Sequence, residues 1–131
     1  MKSNNKARIF AFGMALAWML AGCGSAQSPE GAITNYLEAV VAKDGNKAAS
    51  LSCADWESGA HSEVDALVAV SPTLNGLSCS QSGTSGDNAL VSCTGTIEVT
   101  YNGEQRELDL SAKTYIATQE GGAWRMCGYA P

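Results

Sequence analysis

The sequence predicts an α+β fold, and three features carry the prediction. Apolar side chains recur at helical spacing between Pro29 and Val70, the spacing changes to alternation from Leu77 onward, and Asn102-Gly103 separates two alternating runs as a hairpin turn does. Helices followed by a meander of antiparallel strands place the amphipathic helices over the sheet's apolar face. A single domain over residues 28–131 is expected, with N-terminal helices packed on a curved antiparallel sheet of about four strands.

Ser28-Pro29-Glu30 reads as a helix start, with Ser28 as N-cap and Pro29 at the first helical position, where its missing N–H is not needed. Ile33, Tyr36, Leu37, Val40 and Val41 then share one face, so the first helix is expected from Pro29 to Lys43. Asp44-Gly45-Asn46 supplies a glycine stop and a fresh N-cap. A short second helix is expected from Lys47 to Cys53, with Leu51 and Cys53 inward. A third, from Ser62 to Val70, would turn Val64, Leu67, Val68 and Val70 to the core and end at Ser71-Pro72.

Next come a strand from Leu77 to Gln81, a polar loop from Ser82 to Asn88 and a long hairpin, its arms Ala89 to Tyr101 and Glu104 to Thr118. A two-residue turn sets Val99 opposite Arg106, Ile97 opposite Leu108, Gly95 opposite Leu110, Cys93 opposite Ala112 and Val91 opposite Thr114. One face is then nearly all apolar, and Tyr115 falls on the other, solvated one. Glu98 opposite Glu107 is a mild like-charge penalty. Gly95 in mid-strand marks a bulge or bend where the sheet curves. Gly121-Gly122 turns the chain into a last strand, Ala123 to Tyr129, whose facing stays open. A two-residue loop points Cys127 inward with Ile116, and a loop longer by one points Trp124 and Met126 inward.

Ahead of the domain, Met1 to Arg8 carries Lys2, Lys6 and Arg8 with no acidic residue, and Ile9 to Leu20 runs apolar or small. This is the charged and apolar pattern of an export leader, and at about 1.5 Å per residue a helix of that length falls well short of the roughly 30 Å hydrocarbon core. Leu20-Ala21-Gly22-Cys23 resembles the lipobox of bacterial lipoprotein precursors. The resemblance implies a signal peptide at residues 1–22, cleavage before Cys23, a diacylglycerol with palmitate-class chains on the Cys23 thiol, and a short tether over residues 23–27. The partner is then membrane lipid, on the exported side of the cell membrane or the outer membrane. Loss of the leader leaves five basic against thirteen acidic residues, a formal charge of −8. That charge argues against a nucleic-acid partner and against a basic membrane-docking patch.

Four further cysteines, Cys53, Cys79, Cys93 and Cys127, read as two disulfides in an exported chain. Cys79 and Cys93 fall on strands expected to be neighbours, and Cys53 at a helix end can reach Cys127 on the last strand, so those pairs are expected among three connectivities. No pair has C-x-x-C or zinc-ligand spacing and His61 is the only histidine, so no metal is expected.

Tyr36-Leu37-Glu38-Ala39 with Lys43-Asp44-Gly45-Asn46-Lys47-Ala48-Ala49, the strand meander and Gly122-Ala123-Trp124-Arg125-Met126 together resemble the nuclear-transport-factor-2-like superfamily, also described as cystatin-like and cone-shaped, especially its small envelope lipoproteins. The resemblance implies a curved sheet wrapped on a long helix around a cone-shaped pocket. Some members use that pocket for catalysis, as ketosteroid isomerases and polyketide cyclases do, and others for binding.

An isomerase or cyclase of this kind needs a base in the pocket and a donor for the developing oxyanion. Tyr36, Asp55, Trp56, His61 and Trp124 are the candidate pocket residues, and their spacing matches no catalytic pattern. His61 beside Ser62 and Glu63 reads more simply as an exposed residue at a helix start, and Trp56 and Trp124 as packing. Asp55, Glu57, Glu63 and Asp65 read as a solvated acidic face without calcium-loop spacing. No catalytic residue and no cofactor is expected. The reading favoured is a membrane-anchored, non-enzymatic binding or accessory module for a small hydrophobic ligand or an envelope protein. A pocket enzyme of isomerase or cyclase type, acting on a hydrophobic small molecule, is the alternative. An inhibitor of an extracellular hydrolase also fits the size and the bridges.

Overall fold

The computed structural model describes residues 28–131. The leader, Cys23 and the tether expected over residues 1–27 lie outside the described residues. Helices α1 (Pro29–Val41), α2 (Gly45–Ser50) and α3 (Glu57–Ala66) precede an antiparallel sheet of β1 (Ser71–Ser85), β2 (Asn88–Tyr101), β3 (Glu104–Asp109), β4 (Thr114–Glu120) and β5 (Ala123–Tyr129). The α+β class and the helices-on-sheet arrangement are as the sequence predicts, with five strands where about four were expected.

The first helix starts as read: Ser28 Oγ accepts from the Gly31 N–H at 3.1 Å, and Ala32, Ile33, Tyr36, Leu37, Ala39 and Val40 are buried. Its stop is not Gly45. Lys43 takes the left-handed conformation (φ 58°), and the Asp44 N–H closes back on the Ala39 carbonyl. Asp44 then caps α2 through Oδ1 and the Lys47 N–H, which places Gly45 at the start of that helix. Leu51 to Cys53 therefore lie beyond α2, running beside β5, where the Cys53 N–H donates to the Met126 carbonyl at 2.8 Å and the Met126 N–H donates to the Leu51 carbonyl. A 3-10 turn at Ala54–Trp56 leads into α3, which begins at Glu57, earlier than the expected Ser62. Ala60, Val64 and Leu67 face the core. Val68, expected inward, is 64% exposed because α3 has ended at Ala66 and the chain has turned away.

The expected strand Leu77 to Gln81 and the loop after it are parts of one long hairpin, β1 and β2, joined at Gly86-Asp87. Pro72 is tolerated because β1 is an edge strand. The sheet bends at Gly95, as expected. Gly95 has φ +107°, and a Cβ there would lie 2.6 Å from the Asn75 carbonyl oxygen, so no other residue fits where β1 shifts register.

The far arm of the second hairpin is corrected by the structure. Near its turn the pairs Val99 with Arg106, Glu98 with Glu107 and Ile97 with Leu108 form as read. A 3-10 turn at Leu110–Ala112 then divides β3 from β4, held by Asp109 Oδ1, which accepts from the Ser111 N–H at 2.9 Å and its hydroxyl at 2.7 Å. Past that turn Val91 pairs with Tyr115 instead of Thr114, and Tyr115 swings from the expected outer face to the core, 3% exposed. The Gly121-Gly122 loop has two residues, but with β4 shifted it is Met126, paired with Ala117, that is buried, in place of Cys127 with Ile116.

Disulfides join Cys79 to Cys93 across β1 and β2, and Cys53 to Cys127 between the segment after α2 and β5. These are the expected pairs. The core lies between α1 and the inner face of the sheet, where Ile33, Tyr36 and Leu37 pack with Val91, Ala117 and Met126. Among the described residues no helix is long and apolar enough to cross a membrane.

Candidate functional site

Between the helices and the bent sheet lies a cavity of 420 Å³, in the size range of small-molecule sites. Leu37 and Val40 of α1, Leu67 after α3, Ile97 of β2 and Leu110 give it apolar walls, while Leu108 with Glu107 and Asp109 brings β3 to one side. Polar groups enter the wall at Glu63, Lys113, Tyr115 and Tyr129.

Glu63 sits at the centre of a hydrogen-bonded cluster. The Tyr36 hydroxyl donates to Glu63 Oε2 at 2.6 Å, the Tyr129 hydroxyl donates to Oε1 at 2.5 Å, and Trp56 Nε1 donates to the Tyr36 oxygen at 3.1 Å. Hydrogen bonds to a carboxylate are stronger than neutral ones, so the two phenols fix Glu63 firmly. The indole of Trp56 meets the Tyr129 ring edge-on, with centroids 5.5 Å apart. Gly128 makes this approach possible: with φ +103° it brings β5 so close that a Cβ would lie 3.2 Å from the indole. Tyr115 completes the wall, donating to the Leu110 carbonyl at 3.2 Å.

These surroundings hold the phenols in their neutral form. Burial first, then the hydrogen bond and charge of Glu63, push the Tyr36 hydroxyl far above the ordinary phenol range. Burial and then the Glu63 charge do the same for Tyr129. Tyr115, buried and facing Glu63 and Asp109, is pushed up to about 12.

The arrangement limits the chemistry. A phenol has one proton to donate, and here Tyr36 and Tyr129 direct theirs at Glu63 and Tyr115 directs its own at a backbone carbonyl. Oxyanion stabilisation needs donors aimed at the space where charge develops, and these three hydroxyls and the indole N–H are all committed internally. To a ligand the wall offers apolar surface, ring faces, carboxylate charge and the Lys113 ammonium.

The candidate residues read from the sequence divide into two groups. Tyr36 and Trp56 belong to the Glu63 cluster, standing behind the cavity lining. Asp55 is exposed on the 3-10 turn, and His61 is exposed on α3, its ring beside Gly45. Trp124 is half-buried on β5 opposite Gln119 and does not line the cavity. Three further residues line the pocket: Tyr115, a candidate hydroxyl donor that the expected register sets on the outer face; Glu63, expected on a solvated acidic face; and Tyr129, which the sequence does not single out. The signal for Glu63 is present: with α3 begun at Glu57, Glu63 falls three residues after Ala60 and beside Val64, on the inward stripe. Starting the helix at Ser62 hides that stripe. Among the described residues no group of three His, Cys, Asp or Glu side chains is placed to hold a metal.

Compared with known proteins, the chain matches no family model, no curated protein and no solved structure.

Proposed function

We propose that the chain is an envelope lipoprotein, tethered through acylated Cys23, whose α+β domain is a non-enzymatic module that binds a small hydrophobic molecule in its cavity. The observation that carries this reading is the commitment of the Tyr36, Tyr115 and Tyr129 protons within the protein, beside a cavity whose walls are mainly apolar. A helix laid on a bent sheet with a cavity between them also agrees with the cone-shaped superfamily that the sequence resembles. The acidic balance leaves the lipid as the means of attachment.

The ligand-binding part is tested with N-phenylnaphthylamine, a neutral fluorescent probe, titrated into the purified full chain. An Ala66→Trp variant in the same detergent, with the cavity partly filled, serves as reference. A saturable signal, present in the parent and lost in the variant, is expected, and identical titrations would overturn the reading. The anchor is tested by phase partition in a cloud-point detergent: Cys23→Ser should leave the detergent phase, and retention there would remove the lipid from the account.

A further inference from the structure

The chemistry of the cavity wall specifies more than size. Tyr129 turns its ring to the cavity, and the ammonium of Lys113 lies over that ring, 4.5 Å from its centroid. A cation within about 6 Å of an aromatic face is held by the ring quadrupole. The ring is held in place by Trp56, near-perpendicular to it at 5.5 Å, and by Tyr115, tilted at 5.3 Å. Among the described residues the one ion pair joins Arg106 to Glu104, so Lys113 rests on the ring without a carboxylate partner. The residue is exposed overall, and the ring face is the contact that holds its ammonium.

The charges around this place favour a cation. Glu63 and Asp109, whose charges both reach the Tyr115 hydroxyl in the cavity wall, stand against the single basic group of Lys113. The phenols bonded to Glu63 are neutral donors, so they orient its charge without cancelling it. Residues 28–131 carry five basic and thirteen acidic side chains, so the field of the whole domain draws cations toward the mouth. An inorganic cation is a poor fit to walls of Leu37, Val40, Leu67 and Ile97, which leave its hydration shell unreplaced. An anionic amphiphile would meet one ammonium beside the charges of Glu63 and Asp109.

Building on the binding-module reading, we propose that the cavity takes an amphiphilic organic cation of the alkyl- or arylammonium class. Its apolar body lies against Leu37, Val40, Leu67 and Ile97 and its charged head on the face of Tyr129, in the place that the Lys113 ammonium occupies. Lys113 is then an internal occupant that the ligand displaces, and its removal opens the site.

The test uses three probes with one apolar body and different heads: phenylbutylamine, phenylbutanol and phenylbutyrate. Each is titrated calorimetrically at neutral pH into the purified full chain, with detergent alone as the blank. The amine should bind about ten-fold more tightly than the alcohol, and the butyrate more weakly still. Lys113→Met should tighten the amine several-fold while melting as the parent does. Equal affinities for the three probes would overturn the cation proposal and leave the binding module standing. Tightest binding of the butyrate, abolished by Lys113→Met, would overturn it in favour of an anion site. Binding of none of the three would sink the cavity reading itself, and the cation proposal with it.

Discussion

Strand β2 runs through two different environments while keeping one pattern. From Asn88 to Cys93 it lies between β1 and β4, and Ala89, Val91 and Cys93 are buried to 1% or less. From Thr96 to Tyr101 it lies between β1 and β3, where Ile97 and Val99 stay covered but every residue of β3 is exposed and Tyr101 is 54% exposed. The cause is length. The 13 residues of α1 span about 20 Å as a helix, whereas the 14 residues of β2 span about 46 Å as a strand. A helix of that length reaches along less than half of β2. The uncovered half becomes the wall of the cavity and the exposed hairpin beyond it.

The largest expected effect distinguishes the ties that hold the two halves. Cys53–Cys127 closes a sequence separation of 74 residues and secures the helix-covered half, whereas Cys79–Cys93 closes 14 within one hairpin. By loop-closure entropy the first contributes about 4 kcal/mol and the second about 3 kcal/mol. Replacing Cys53 and Cys127 together by Ser should lower the urea midpoint more than replacing Cys79 and Cys93. The reverse order would mean that the hairpin, and not the covered half, sets the stability.

A smaller loss is expected from the polar cluster. Tyr36→Phe keeps the ring but removes the donor to Glu63 Oε2 and the acceptor of Trp56 Nε1. Leaving two such groups without a partner should cost about 2 kcal/mol, read from denaturant unfolding. A variant as stable as the parent would show that water replaces the phenol and that the cluster is open.

The same cluster gives a pH dependence. The Tyr36, Tyr115 and Tyr129 hydroxyls lie above their unfolded value of roughly 10, Tyr115 at about 12 and the other two higher. The unfolded chain therefore releases these protons first as pH rises. Their stabilising contribution is present in full below the unfolded value and is lost progressively above it, toward and beyond 12. The melting temperature should begin to fall as pH passes about 10, with the tyrosinate absorbance of these residues appearing only on unfolding. Their ionisation in a chain still folded would contradict the burial of the cluster.

How far these features are legible in the sequence depends on the quantity each signal measures. Alternation and Asn102-Gly103 report local pairing, so the hairpin register near its turn, the Gly95 bend and both disulfide pairs can be read. The 3-10 turn at Leu110–Ala112 adds a residue to the arm without breaking its apolar rhythm, and so the alternation assigns Tyr115 to the wrong face. Glu63 is hidden by the start of α3, where Trp56 is the N-cap residue and contributes no side-chain cap, so that Ser62 looks like the better beginning. Ser71–Ser85 carries too few apolar residues to read as one strand, because its pairing to β2 leaves it an edge with much of its surface in water. The acidic run is legible as a run, but which one of its members turns inward depends on a helix boundary.

The finest test separates binding from folding on the uncovered half. Leu108 is 50% exposed on β3, opposite Ile97, and lines the cavity. Leu108→Ser removes apolar wall from a position that already faces water, so the stability change should stay within about 0.5 kcal/mol. The apolar body of a bound probe, by contrast, loses a contact surface it cannot regain, and N-phenylnaphthylamine affinity should fall several-fold. If stability fell as sharply as binding, β3 would be part of the core in solution and the contrast between the halves of β2 would fail. If neither moved, the ligand would have to sit deeper, against Leu37 and Leu67, with β3 acting only as the strand that closes the edge of β2.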